Sequence, residues 1–344
     1  MKRIVSLLLV LICVCTSLFS SPKKEEKTEG AYKIGICNYV YDASLDQIVE
    51  NIKSRLDEIQ KERNVKFDIR IENCNADMNI LNQIIANFIS DKVDLMIGIA
   101  TPVAMTMQGA TEDNQIPVIF SAVSDPVGSK IVASLQNPGG NLSGTSDYLD
   151  STSLLNLIFA LKPNAKKIGL LYDAGQDSST TPIKEAKQFL KSRGIEYVER
   201  TGTDQNSIVM AAQSLVSDNV DAVFTPTDNT VMTSELAIYE IFSDAKIPHF
   251  TGADSFALNG AFLGYGVDYA YLGIKTADMA ASVLIDKQNI SNLSVMTFDN
   301  GTATINTETA EKLGYNINEL TKIFIPYCTA VKEIKTANSF NDLK

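Results

Sequence analysis

Thr227-Asp228-Asn229-Thr230 follows an apolar run over residues 220–224 and precedes a helically spaced stretch from Val231 to Ser243. Hydroxyl, carboxylate and amide side chains at such a handover have two uses. They cap the helix by accepting its first N–H groups, or they hold a small ligand, which in open α/β sheets sits beyond the carboxyl ends of the strands. The same construction stands earlier, at Ile99-Ala100-Thr101-Pro102. Aligning Val93-Asp94 on Val220-Asp221 brings Met105 onto Met232 and Thr101 onto Asp228. One copy offers a hydroxyl and the other a carboxylate, a pair suited to a molecule carrying both an anionic and a cationic group.

Asp228 and Asp254 are the candidate acceptors for a ligand ammonium, a charge-assisted contact worth roughly 1.5–3 kcal/mol. No arginine lies between Arg70 and Arg193 or after Arg200, so a ligand carboxylate is expected to meet helix N-termini instead. Thr101, Ser121 and Ser124 add hydroxyl donors, and Pro102, Ala122 and Ser255 share their loops. Asn38 at the end of the first strand, Ser178 and Asn229 are further polar candidates. Tyr39, Tyr41, Tyr172, Phe256 and Tyr265 fall at strand ends, where they either stack on a flat ligand or close the core. Asp125, in Ser-Asp-Pro, reads first as turn chemistry, and Asp147 reads as part of a hinge.

The elements that must position these residues alternate. Tyr32–Cys37, Val65–Ile71, Val93–Ile99 and Ile116–Phe120 read as strands, with helices after Ser44, from Met78 to Ile89 and from Val103. Ser44-Leu45-Asp46-Gln47 has the form of a capping box. After Asn137-Pro138-Gly139-Gly140-Asn141 the programme restarts with strands at Lys167–Tyr172 and Tyr197–Arg200 and helices at Ile183–Ser192 and Ser207–Val216. Lys-Ile-Gly, Val-Asp and Ile-Pro occur in the same order at 33–35, 93–94 and 116–117 and again at 167–169, 220–221 and 247–248, which marks a duplicated domain. The alternation predicts parallel sheets covered on both faces. Phe262–Asp268, Ser294–Phe298 and Ala303–Asn306 read as extended and suit crossings in a multi-stranded hinge. The expected division is 1–30 leader and tether, 31–146 plus 267–300 one lobe, 147–266 plus 301–330 the other, and 331–344 a tail.

A chain of 344 residues accommodates two such domains. The net charge of −11 argues against nucleic acid. The only histidine, His249, follows Ile-Pro at a strand start and reads as structural. No Ser/His/Asp set, metal cluster or phosphate-binding glycine loop is visible, and no cofactor is expected. Lys2-Arg3 and the apolar run to Cys15 are too short to span a bilayer and have the form of an export signal. Cys13 and Cys15 are candidates for lipid attachment, with cleavage after Ser17 or Ser20 the alternative. Cys37 and Cys74 fall near the ends of neighbouring strands, either as a disulfide or as buried small residues.

Ile97-Gly98-Ile99-Ala100-Thr101-Pro102, Pro117–Gly128, Pro226–Thr230, Tyr265–Tyr269 and Asn306–Gly314 occur together in one order along the chain. In this the chain resembles solute-binding proteins of ABC transporters of the type I periplasmic-binding-protein class, in particular the group that includes tryptophan- and phenylalanine-binding lipoproteins. The resemblance implies two Rossmann-like lobes joined by a three-stranded hinge that closes on a ligand. It implies an amino-acid ligand, aromatic or large and apolar, and a permease and ATPase as partners. It also implies a monomer without catalysis, exported and touching a membrane only through a lipid anchor. The loop Asn38-Tyr39-Val40-Tyr41-Asp42-Ala43 departs from the family pattern, which leaves a nucleoside or short peptide, or a sensory role, as the alternative. The lack of tryptophan weighs against a sugar.

Overall fold

The computed structural model describes residues 30–299 and 301–343. Cys13, Cys15 and the proposed leader lie outside the described residues. Twelve strands and eleven α-helices follow one another in the described chain. The first sheet takes β1 (Tyr32–Asn38), β2 (Phe67–Asn73), β3 (Leu95–Ile99), β4 (Val118–Ser121) and β5 (Leu142–Gly144), in the spatial order β2-β1-β3-β4-β5, all parallel. Its helices are α1 (Ala43–Arg63), α2 (Met78–Ser90) and α3 (Thr101–Ala110). The second half supplies α4 (Ser151–Leu161), β6 (Lys167–Tyr172), α5 (Asp177–Ser192), β7 (Glu196–Thr201), α6 (Gln205–Ser217), β8 (Ala222–Thr225), α7 (Asn229–Asp244), β9 (His249–Thr251) and α8 (Asp254–Leu258). Then come β10 (Leu263–Gly266), α9 (Tyr269–Leu284), β11 (Thr302–Asn306), α10 (Thr307–Leu313), α11 (Ile317–Phe324) and β12 (Ala330–Ile334). The second sheet runs β12-β11-β10-β9-β8-β6-β7, with β11 antiparallel to β10.

The duplication read from three short landmarks is a physical one, because the landmarks bond to one another in both halves. Asp94 accepts from the Lys33 N–H at 2.7 Å, and Asp221 accepts from the Lys167 N–H at 2.9 Å. Met96 N–H donates to the Pro117 carbonyl and Val223 N–H to the Pro248 carbonyl. The shared glycines allow helices to lie close on the strands. A Cβ at Gly35 would stand 2.7 Å from the Phe88 ring, and one at Gly169 would stand 2.9 Å from Leu215. Either contact is tighter than packed atoms tolerate. Thus Lys-Ile-Gly begins each sheet, and Val-Asp and Ile-Pro lock the next strands beside it.

Three crossings join the sheets. After β5 the chain leaves through Thr145, Ser146 and Asp147 into α4. It returns through Val267 and Asp268 to α9, whose Gly273 packs close to the Ile48 backbone of α1. Met296 pairs with Thr145 before the chain goes back to β11. Four expectations require correction. The cap of α1 is Asp42, which accepts from Ser44 N–H at 2.8 Å and Leu45 N–H at 3.2 Å, so Ser44 is free for other work. Helix α5 starts at Asp177 rather than Ile183, with Pro182 in its second turn, where it has no N–H to give the Ser178 carbonyl. The segment 331–344 is not simply a tail, since β12 extends the second sheet. Within Ser294–Phe298, only Met296 forms a β-bridge.

Candidate functional site

The carboxyl ends of β3 and β4 face those of β8 and β9 across a cleft. Ser44, Leu45, Ala100, Thr101, Ala122 and Ser124 line one side; Ser178, Thr227, Asn229, Met232 and Ala253 line the other. Asp147 and Tyr269, next to the crossings, complete the lining. Hydrogen bonds span the cleft: Ser124 Oγ with Thr227 Oγ1 at 2.9 Å, Ser44 Oγ to Asp254 Oδ1 at 2.8 Å, and Thr181 Oγ1 to Asp125 Oδ2 at 2.6 Å. The enclosed space is about 20 Å³, room for about one water. A second hollow of about 250 Å³ lies at the mouth, lined by Tyr39, Val40, Asp173, Gln176 and Asn229 among others. The halves are therefore drawn together.

The electrostatics come mainly from helix ends. Asp or Asn side chains cap α1, α2, α4, α6, α7, α9, α10 and α11. Helices α3 and α5 begin without a side-chain cap, at Ala100 and Gln176, as does the short α8. The hydroxyls at the starts of the two longer ones, Thr101 Oγ1 and Ser178 Oγ, are buried without a hydrogen-bond partner. Uncapped N–H groups and the positive ends of helix dipoles suit an anion. Across the lining, Asp147 is the only carboxylate. It accepts from Ser124 Oγ at 3.0 Å and Tyr269 OH at 3.2 Å, and burial raises its pKa above the ordinary carboxylate range.

The expected site residues separate into groups. Thr101, Ala122, Ser124, Ser178 and Asn229 line the cavity, and Tyr39 lines its mouth. Asp228 does not line it. Its Oδ1 accepts from Thr230 and Val231 N–H, both at 3.0 Å, and its Oδ2 from Asp173 N–H at 2.8 Å and Ser179 Oγ at 2.5 Å. All four donors belong to its own half, so the carboxylate is a helix cap; burial pushes its pKa up to about 6. Asp254 lies outside the cavity, bonded to Ser44, and Ser255 N–H also donates to Ser44 Oγ at 3.2 Å. Tyr172 is turned away, its hydroxyl donating to Glu199 at 2.6 Å in a groove on the outer face of the second half. Ser121 bonds Thr145 and Thr276 beneath the cavity, Pro102 follows Thr101 without lining the cavity, and Asn38 donates to Asp46 at 3.0 Å. Phe256 and Tyr265 belong to the core, and Tyr41 is exposed.

Asp147, Tyr269, Ser44, Thr227 and Met232 are lining residues that the sequence did not single out as ligand contacts. Asp147 had a signal, a carboxylate on a crossing segment, but its position in the cleft depends on how the crossing is aimed. One further constellation was hidden. Thr225 Oγ1 bonds His249 Nε2 at 2.8 Å, and Nδ1 of the ring bonds Glu235 at 3.1 Å. This is the connectivity of a nucleophile, base and orienting carboxylate. All three are 2% exposed or less, so the set ties β8 and β9 to α7, out of reach of any substrate.

Residues 33–323 match the family model of the ABC transporter substrate binding protein. A tyrosine-binding protein of Clostridioides difficile is 33% identical over 320 residues, covering 92% of this chain and 90% of that one. The crystal structure of an ABC domain in complex with L-Trp from Streptococcus pneumonia is 30% identical, covers 88% of this chain and all of its own, and superposes with a TM-score of 0.79. A ligand-free, open substrate binding protein from Clostridium difficile is 31% identical over 89% of this chain, yet its TM-score is 0.67. At nearly equal identity the fit is better to the liganded relative, as expected of halves drawn together. Two parallel-dominated sheets with three crossings, closing on a cavity lined by helix N-termini, thus belong to a type I periplasmic binding protein, and the chain is a member of the extracytoplasmic ABC transporter substrate-binding protein family, whose members bind a small molecule for a transporter rather than transform it.

Proposed function

We propose that this chain is the receptor of an ABC importer for an aromatic L-amino acid, held as a zwitterion between its two halves. The observation that carries the reading is the pair of partnerless buried hydroxyls, Thr101 Oγ1 and Ser178 Oγ, at uncapped helix N-termini on opposite sides of one cavity. Parting the halves from the one-water space they enclose here admits a carboxylate, which then accepts from both hydroxyls and from first-turn N–H groups. The ammonium then faces Asp147, whose carboxylate keeps acceptor capacity beyond its bonds to Ser124 and Tyr269. The side chain extends to the mouth, where Tyr39 supplies an aromatic wall. The names of the tyrosine-binding relative and of the tryptophan complex support an aromatic side chain.

The bonds Ser124–Thr227, Ser44–Asp254 and Asp125–Thr181 form only when the halves meet, so they hold the closed state that a permease would recognise. The partners are a permease and its ATPase, and the receptor acts as a monomer, tethered through a lipid on Cys13 or Cys15. Calorimetry on the leaderless chain with Tyr, Trp, Phe, Leu and a nucleoside tests the ligand. Heat with one or more aromatic amino acids is expected. Heat with the nucleoside alone would replace the amino acid, and Leu binding as tightly as Tyr would remove the aromatic assignment.

A further inference from the structure

Two thiols lie directly behind the mouth of the cleft and are not among the residues lining it. Cys37 and Cys74 are fully buried, whereas Cys328 is partly exposed in the other half. In the β1–β2 pairing Cys37 stands opposite Glu72 and Asn38 opposite Asn73. Cys74 is the first residue past the end of β2, one position beyond the Asn38–Asn73 pair. Beyond β2 the chain folds back over the end of β1. Cys74 N–H donates to the Asn38 carbonyl at 3.0 Å and Ala76 N–H to the Tyr39 carbonyl at 2.8 Å. The thiols converge on the same two peptides: Cys37 Sγ reaches the Asn38 carbonyl at 3.6 Å and Cys74 Sγ the Tyr39 carbonyl at 3.1 Å. The Cys74 thiol beside it, and then burial, push the Cys37 thiol far up, which marks the two sulfurs as neighbours.

The turn that carries Cys74 is a costly one. Asn75 and Ala76 follow with φ of 49° and 57°, left-handed conformations that a residue with a Cβ keeps only when its surroundings hold it. We infer that Cys37 and Cys74 form a disulfide in the exported protein, closing the β1–α1–β2 loop and pinning this turn beneath Tyr39. Each thiol gives up a proton, and the pair gives up two electrons as the Sγ–Sγ bond forms. The electrons pass by thiol–disulfide exchange to the disulfide of a protein or small-molecule donor, which leaves as two thiols. Extracytoplasmic compartments supply such donors, and the exchange takes place before folding buries the pair. Tyr39 lines the mouth together with Ala76, so the bridge fixes the wall against which the ligand side chain is placed.

Peptide mapping of the full chain, recovered from an oxidising compartment and alkylated while denatured and unreduced, tests the bridge. Linked Cys37 and Cys74 peptides with an alkylated Cys328 are expected. Alkylation of all three, or a bridge that includes Cys328, overturns it. A thermal melt gives a second readout: reductant lowers the wild-type melting temperature by roughly 5 °C and leaves the Cys37→Ala/Cys74→Ala variant unmoved. A wild-type melt indifferent to reductant overturns it too. The mapping needs no variant to fold, and neither readout depends on which ligand the cleft takes.

Discussion

The two strand-to-helix handovers that the internal repeat superposes, β3 into α3 and β8 into α7, are treated in opposite ways. At β8–α7 the chain supplies its own anion. Asp228 accepts from two N–H groups of the α7 first turn and from Asp173 and Ser179, which leaves α7 electrostatically complete. At β3–α3 the cap position is Ala100, held at φ 75°, and Thr101 follows with a buried hydroxyl that bonds nothing. On the proposed reading, Asp228 closes the end of α7 to a ligand anion, and the uncapped ends of α3 and α5 receive it. In the second half the open helix end is displaced from α7 to α5, where Gln176 makes no cap and Ser178 takes the place in the lining that Thr101 has opposite.

The contrast breaks most readily at Asp228. Asp228→Ala strips four donors of one buried acceptor. The lost cap and the orphaned groups together cost about 2–4 kcal/mol of folding stability. Urea denaturation of the ligand-free protein measures it, and wild-type stability in that variant would mean that Asp228 is not the cap of α7. Asp147→Asn is expected to act in the other direction. The amide can still bond Ser124 and Tyr269, so folding changes little, whereas the ammonium loses its counter-charge and affinity falls roughly 30-fold, equivalent to about 2 kcal/mol. Calorimetry with the best-binding amino acid reads this directly. Undiminished affinity would move the ammonium elsewhere.

Thr101→Val and Ser178→Ala sharpen the same contrast at smaller scale. Each removes a hydroxyl that has no partner in the protein, so stability should hold or rise. Each also removes one charge-assisted bond to the ligand carboxylate, and affinity should fall about 10-fold per site. If either variant lost stability and kept affinity, the hydroxyl would be a structural group and the open helix end would not be the anion site.

The fold was more legible in the sequence than the site, and for a physical reason. Strand and helix periodicity, and landmarks such as Val93-Asp94 and Val220-Asp221, depend on neighbours within one half, so short stretches carry them. Thr101, Ser124, Ser178 and Asn229 could be read because loops at strand ends face a cleft in any such sheet. Composition does not say where a carboxylate points: Asp228 is taken up by four donors of its own half, and Asp254 by Ser44 of the other. Ser44 was misread for a related reason: Asp42, two residues earlier, took the cap. Asp147 and Tyr269 reach the cavity only through the geometry of the crossings, which lies beyond any local pattern.

Acidity should separate the two roles of the buried carboxylates. Burial pushes Asp42, Asp46, Asp228 and Asp254 up to about 6 in the folded chain, against about 3.9 in an unfolded one. Between those values the folded state holds more protons than the unfolded state, so stability falls as pH rises. Their contribution is thus fully present below about pH 4 and is lost as pH climbs through about 6. Asp204 and Glu199 are held below their usual range and oppose this, but one is at the surface and the other only partly covered, where solvent screens the effect. The ligand-free protein should therefore denature at higher urea near about pH 5 than near about pH 7.5. Ligand affinity should move the opposite way. Asp147 is raised by burial as well, and it must be ionised to receive an ammonium. Titrating both quantities over one pH series sets structural carboxylates against the proposed contact: stability that climbs on acidification while affinity drops places Asp147 on the ligand, whereas affinity that climbs with stability removes it from the site.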